Sequence, residues 1–409
     1  MSVLRTQGVR PLLAAEVVSV TGSQMTWLAL PWFVLVTSGS ATRMSVVVAA
    51  ELLGLAALGL PGGKLLGRLG AWRTMVLCDT ARAPLMLSIP LLHWGGVLSF
   101  GLLLALAGGL GALSAPYFAA QKVIVPELLG EDEALVSRAN ALFQAATRLT
   151  MLLGPVAAGL LIASFSAPVV LVIDAATYVV SALLLKLFVP RPQPLPDDGE
   201  DRGIRRGIRF LVREPLLRLW TPVFAFGDAA WVAFFVSIPV LVVERFGADP
   251  RIAGWLIASF GIGAVLGNAV AYRWLLARVR GLTLIALGVL AQALPLWLLT
   301  LELPAAAYAS ALLASGIGNG LCNPSIHALM TLRIPPALRP TVMTTMMIVF
   351  ALAQPLALFG VGPLLDAFGT QPVLVAFAVA QTLAMAAIAL STLAARGDAP
   401  TPRLAEAAR

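Results

Sequence analysis

Gly63-Lys64-Leu65-Leu66-Gly67-Arg68-Leu69-Gly70-Ala71-Trp72-Arg73 joins two apolar stretches of membrane-spanning length and brings three basic residues together. The next gap, between the apolar stretches 72–92 and 97–121, holds none. The same contrast runs along the chain. Its apolar stretches divide into twelve: 11–36, 43–66, 72–92, 97–121, 138–164, 167–189, 219–243, 251–272, 281–301, 305–330, 341–365 and 372–394. Each has about the 20 residues that a helix needs to cross ~30 Å of hydrocarbon. With 59% apolar and 12% charged residues and a mean hydropathy of +0.91, the composition excludes a soluble domain.

Of the 28 lysines and arginines, 23 fall at the N-terminus, in alternate gaps or at the C-terminus. The opposite gaps hold only Arg43, Arg245 and Arg251, while Arg82 and Arg148 lie within spans. Basic loops stay cytoplasmic, so both termini and the central loop are expected there, in a multi-pass protein of the inner or plasma membrane. An odd number of spans would break the alternation. The formal charge of +8 therefore has a topological reading and does not call for nucleic acid. The short basic start, Ser2 to Arg10, precedes a first span too long for a cleaved signal and reads as a retained helix. Cys78 and Cys322 lie in spans without metal-type partners and read as packing residues.

A shift of 208 residues superimposes the chain on itself. Pro31 meets Pro239, Gly39 meets Gly247, Arg43 meets Arg251, Gly59 meets Gly267 and Pro116 meets Pro324. Gly154-Pro155 meets Gly362-Pro363. Glycine and proline set backbone geometry, so their recurrence reports a repeated structure. Both halves start on the same side, which makes this a parallel repeat about an axis along the membrane normal. The expected parts are an N-terminal six-helix bundle (1–189), a linker (190–218), a C-terminal six-helix bundle (219–394) and a cytoplasmic tail (395–409). The linker opens Pro-rich and acidic. It then places Ile204, Ile208 and Leu211 on one helical face, as in an amphipathic helix on the cytoplasmic surface or a solvated basic segment.

This 6+6 plan resembles the major facilitator superfamily, an all-α membrane fold of twelve transmembrane helices. The opening stretch is similar to that superfamily's G-x-L-A-D-R-x-G loop motif, and Leu153-Gly154-Pro155-Val156-Ala157-Ala158-Gly159 to the G-P-x-x-G part of its antiporter motif. Cys78-Asp79-Thr80-Ala81-Arg82-Ala83-Pro84, Pro126-Glu127-Leu128, Ala139-Asn140-Ala141 and Gly207-Ile208-Arg209-Phe210-Leu211 resemble a bacterial branch of siderophore exporters and actinobacterial multidrug efflux pumps. The resemblance covers about residues 8–394. It implies gating or conformational roles for Gly63, Arg68, Gly70, Arg73, Gly154, Pro155 and Gly159. It also implies a central cavity lined by helices 1, 4, 7 and 10. Gly67 stands where the loop motif carries an aspartate of the cytoplasmic latch, so that latch must use another acid or be weaker.

Ionisable groups within spans are functional candidates by default, because lipid penalises them unless they pair or reach water. Asp79 and Arg82, three positions apart, share a helix face and are expected to pair, in a structural or gating role. Arg148, about 15 Å into its span, needs an acid or an anionic ligand. Glu51, Asp79 and Asp174 are the available acids. Asp228 lies about 14 Å into the seventh span without a basic residue beside it, sharing its face with Phe224, Trp231 and Phe235. A carboxyl group in an aromatic face suits proton exchange, since its neutral form is the cheaper one to bury. Asp228 is thus the leading proton-coupling group, followed by Glu16 and Glu51; a plain packing role is the alternative.

Candidate substrate contacts are Gln24, Trp27, Trp32, Tyr117, Trp231, Phe235, Asn319 and Asn323, since aromatic surfaces with a few polar groups suit amphiphilic ligands. His327 reads as hydrogen-bonded structure. No P-loop string, nucleophile–base motif or metal-ligand cluster occurs, so ATP hydrolysis, enzymatic catalysis, cofactors and metals are not expected. The reading is a secondary active exporter of drug-like amphiphiles, driven by protons, a monomer whose partners are substrate, protons and the lipid bilayer. The alternatives are export of a siderophore or lipid-like metabolite, and a non-transporting receptor or scaffold on the same fold.

Overall fold

The computed structural model describes residues 6, 8–130, 132–191, 204–276, 278–279 and 281–394. The linker's first part (192–203) and the tail (395–409) lie outside the described residues. Among the described residues the regular structure is helical throughout. The N-terminal helices are α1 (Val9–Ser38), α2 (Ala41–Leu69), α3 (Ala71–Trp94), α4 (Phe100–Leu129), α5 (Glu133–Ser164) and α6 (Ala167–Phe188). A short α7 (Ile204–Arg213) precedes α8 (Pro215–Arg245), α9 (Pro250–Val270), α10 (Gly281–Ala293), α11 (Ala305–Arg333), α12 (Arg339–Phe368) and α13 (Thr370–Ala394). All twelve expected spans are helical. The ninth finishes as a 3₁₀ segment, Leu294–Thr300, where Pro295 removes the N–H that the α pattern needs.

Eleven of these helices are long and apolar enough to cross a membrane. The exception among the twelve spans is α1, whose Glu16, Ser19, Thr21, Ser23, Gln24 and Thr26 lower its hydropathy. A polar helix of this length lasts in a bilayer only by turning those groups toward other helices. Accordingly α1 packs on α2, α5 and α6.

The recurring glycines and prolines occupy matching structural positions. Gly39 (φ 65°) ends α1 in a left-handed cap and Gly247 (φ 62°) follows α8 in the same conformation, which any residue with a Cβ adopts at a cost. Pro31, Pro116 and Pro155 lie inside α1, α4 and α5; Pro239, Pro324 and Pro363 lie inside α8, α11 and α12. Glycine also lets helices touch. A Cβ at Gly111 of α4 would stand 1.8 Å from the Glu51 carbonyl oxygen of α2, and one at Gly316 of α11 2.1 Å from that of Phe260 in α9. Small residues at crossings allow this backbone-to-backbone packing in membranes.

The chain forms two compact units: residues 1–199 with 247–254, and residues 200–246 with 255–409. The first unit's core joins Leu12, Met75, Ile124 and Leu185 with Trp72, whose Nε1 donates to the Leu185 carbonyl at 3.0 Å. The second unit's core holds Leu211, Trp220, Ile326, Met346 and Ile388, with Trp220 Nε1 donating to Ser391 Oγ at 2.8 Å. In α7 the inward positions are Gly207 and Leu211, set against α12, while Ile208 is exposed.

Candidate functional site

In the second unit, three helices turn a stripe of side chains into a cavity of about 620 Å³. From α8 come Phe224, Asp228, Trp231 and Phe235, spaced as one helical face. From α11 come Asn319, Asn323 and His327, and from α12 Met343, Met346, Met347 and Phe350. Asp228 is exposed to the cavity, and its Oδ2 accepts from Gln354 Nε2 of α12 at 2.5 Å. Among the described residues no cation forms an ion pair with it. A neutral amide holds a carboxylate in an apolar chamber, and the remaining oxygen is available to a ligand or a proton.

Trp231 anchors the aromatic wall. Its ring centroid lies 4.4 Å from Phe260, 5.1 Å from Phe377 and 5.4 Å from Phe235. Behind it Phe234 and Phe377 stack at 4.4 Å. The polar wall is a chain of amides: Asn323 Nδ2 donates to Asn319 Oδ1 at 3.5 Å, and Asn319 Nδ2 to Gln292 Oε1 at 3.3 Å. Methionine is the component that sequence reasoning missed. Five of the chain's 11 methionines line this cavity, and their flexible thioethers reshape around differently shaped ligands. The 3- and 4-residue spacing of Met343, Met346, Met347 and Phe350 was the available signal.

The first unit is built differently. Asp79 and Arg82 form the expected ion pair, 0% and 2% exposed. The guanidinium is sandwiched between Tyr117 (4.2 Å) and Tyr178 (4.5 Å). Tyr117, a candidate substrate contact, is therefore fully buried and engaged by Arg82. Trp32 is likewise a core residue, Trp27 is exposed, and Gln24 packs its Cβ toward Gly154. These four do not join the cavity that Trp231, Phe235, Asn319 and Asn323 share. Glu16 is buried and accepts from Gln121 of α4.

Arg148 forms no ion pair with Glu51, Asp79 or Asp174. It opens instead on a cavity of about 570 Å³, with Lys122, Gln121, Gln144 and Glu16. The two cysteines are free and buried.

The motif residues lie in α2, α3 and α5 and in the turn between α2 and α3. Gly70 (φ 75°) breaks α2 from α3, Gly63 lies within α2, and Arg68 and Arg73 are exposed. Near Gly67, which lacks the motif's acid, Glu127 of α4 lies beside the start of α3 at Ala71, a position the helix dipole favours for an anion. A Cβ at Gly154 would stand 2.4 Å from Gln24 Cβ in α1; one at Gly159 would stand 2.6 Å from the Pro250 carbonyl, which groups with this unit. Pro155 faces Gly254 through its carbonyl oxygen. Gly154→Ala should thus overpack the α1–α5 crossing and cost about 1–3 kcal/mol. Thermal unfolding in detergent measures this; an unchanged midpoint would mean that the crossing is loose.

The sequence profile of the Major Facilitator Superfamily matches residues 12–358, and the chain belongs to that superfamily. It is 28% identical to the multidrug efflux pump Tap of Mycolicibacterium fortuitum over 86% of this chain and 88% of that one. With the Tap pump of Mycobacterium tuberculosis H37Rv it is 25% identical over 86% of each chain. Among solved structures it resembles a mutant of the nucleoside transporter NupG (TM-score 0.77, 12% identity, covering 94% of this chain and 99% of that one). It also resembles a bacterial homologue of the human lysosomal transporter Spinster in its inward-facing, unoccupied conformation (TM-score 0.75, 16% identity, 96% and 98%). The chain is thus an all-α membrane protein of twelve transmembrane helices, a member of a transporter superfamily that takes small-molecule substrates.

Proposed function

We propose that this protein is a secondary active exporter that exchanges protons for cationic, amphiphilic, drug-like molecules, using alternating access of its two six-helix halves. The observation that carries this reading is the carboxylate of Asp228 in a chamber of aromatic rings and methionines. An apolar wall that reshapes and one fixed negative charge select for a class, flat or greasy cations, and not for a single compound. Efflux-pump relatives along most of the chain support the direction of transport. Asp228 binds either the substrate cation or a proton, which couples the two flows. Gly154, Pro155 and Gly159, packed against backbone, serve the conformational change, with Arg68 and Arg73 beside the α2–α3 break. Both termini lie in the cytoplasm. Reporter fusions after Arg10 and Arg396 should both score cytoplasmic, and a fusion near Trp94 should score outside.

Reconstituted protein tests the function. A panel of cationic dyes should leave the cytoplasmic-side compartment under a proton gradient, and an uncoupler should abolish the flux. No movement of any dye would remove drug export. Movement insensitive to the uncoupler would remove proton coupling. A second reading, export of an anionic or zwitterionic metabolite, rests on Arg148 and Lys122, which among the described residues form no ion pair, at one cavity. Competition by organic anions that Arg148→Gln relieves would favour it.

A further inference from the structure

A groove of about 740 Å³ runs along the seam between α3 and α6, apart from the cavities of Asp228 and Arg148. The buried Ala83 and Ala175 form its floor, and the exposed Val179 and Leu183 stand at its rim. Thr80 brings the lining's one hydroxyl, and its Oγ1 already donates to the Val76 carbonyl at 2.7 Å. The wall therefore offers a ligand apolar surface alone. Its one charged lining residue, Lys186, is exposed at one end.

That end is basic. Arg73, Val76, Thr80, Pro84 and Leu87 recur at helical spacing along α3, so Arg73 continues the groove's stripe one turn beyond Val76. Arg73 is exposed, and among the described residues neither it nor Lys186 forms an ion pair. Arg191, just past α6, lies over the Trp72 ring at 4.9 Å. The acid at this end, Glu127, meets α3 at Ala71, two positions before Arg73 and so on the other side of the helix. At 1.5 Å per residue the groove follows α3 for about 16 Å, from Val76 to Leu87, and α6 for about 21 Å, from Val172 to Lys186. A partner's spanning helix would lie along the full ~30 Å of hydrocarbon, which the groove does not cover. One leaflet's share of that thickness, about 15 Å, with a headgroup at the basic end, does match.

We propose that the α3–α6 groove is a binding site for an anionic phospholipid, with an acyl chain along the alanine floor and the phosphate at Lys186 and Arg73. Long basic side chains lay their stems on apolar surface while their charged ends reach headgroup level. Basic pockets between membrane helices favour acidic headgroups. A zwitterionic lipid brings an ammonium group of its own, which the two cations oppose. The binding does not rest on proton-coupled export. Only its assignment to the cytoplasmic leaflet rests on the topology proposed above.

Native mass spectrometry of the full chain, released from vesicles of equal phosphatidylglycerol and phosphatidylethanolamine, tests the site. The wild type should keep one phosphatidylglycerol in preference to phosphatidylethanolamine. Lys186→Gln should lower that retention about fivefold, the effect of one cation near the headgroups, and Lys186→Arg should restore it. Ala176→Phe, which fills the groove, should lower retention of both lipids. Arg218→Gln, at an exposed position of α8 in the second unit, should change nothing. Equal retention of the two lipids by the wild type, or like behaviour of Lys186→Gln and Arg218→Gln, overturns the site and leaves ordinary annular lipid. Displacement by inorganic phosphate would overturn the lipid in favour of a free anion. A dimer that Ala176→Phe dissolves would give the groove to a second copy of the chain and overturn it equally. Lys186 is exposed, so its variants decide the question even if Ala176→Phe does not fold.

Discussion

Replacing Arg82 with methionine should destabilise the protein by about 3–5 kcal/mol, the cost of breaking a buried ion pair from one side. The side chain is 2% exposed, and its removal leaves Asp79 at 0% exposure with neutral hydroxyls, Ser19 Oγ at 3.5 Å and that of Ser181, near its charge. Two further contacts vanish with it, the faces of Tyr117 and Tyr178, each about 0.5–2 kcal/mol when desolvated. Such a sum is a large fraction of the margin by which proteins are folded. The pair itself contributes little beyond a neutral substitute, since desolvation offsets most of its attraction. Asp79→Asn combined with Arg82→Met should therefore recover most of the loss. Thermal unfolding of the three variants in one detergent measures both effects. Equal destabilisation by the single and double changes would show that the guanidinium acts through packing and not through charge.

The twelve-helix plan was legible because it rests on local quantities. Basic residues in alternate gaps mark one side of the bilayer, and glycines 208 residues apart, such as Gly39 and Gly247, end matching helices in the same left-handed conformation. The Asp79–Arg82 pair was legible for the same reason, three positions along one helix. The Asp228 face was also visible from spacing alone, and Trp231 and Phe235 do join it. What spacing leaves out is the partner across a helix boundary. Tyr117 read as a ligand contact because an aromatic ring looks alike toward a cavity or toward Arg82. For Arg148 spacing leaves an acid of its own half and an anionic ligand both open, and the side chain opens on a cavity beside Lys122. Met343, Met346 and Met347 drew no attention, since in an apolar span methionine differs little from leucine until the facing wall is known. Glu127, distant in sequence from the loop motif, reaches the start of α3 only through tertiary packing.

Asp228→Asn should lower transport of cationic substrates about 10- to 100-fold while leaving stability nearly unchanged. The affinity part follows from one charge-assisted contact, about 1.5–3 kcal/mol, which corresponds to that range in a dissociation constant. Stability should hold because the amide keeps Asp228's size, and Gln354 can reorient to exchange the 2.5 Å contact for an amide–amide one. Neutral amphiphiles should be affected far less, since the Trp231, Phe260 and methionine walls bind them through apolar area. Met343→Ala and Met347→Ala should act in the opposite sense, weakening bulky substrates of either charge by an amount that tracks ligand size. Dye-binding titrations on purified protein separate the two patterns, one sorted by charge and the other by volume. If Asp228→Asn weakened neutral and cationic ligands alike, the carboxylate would be holding the cavity's shape through Gln354, and the charge that drives exchange would have to be sought in the first unit, at Glu16 or Glu51.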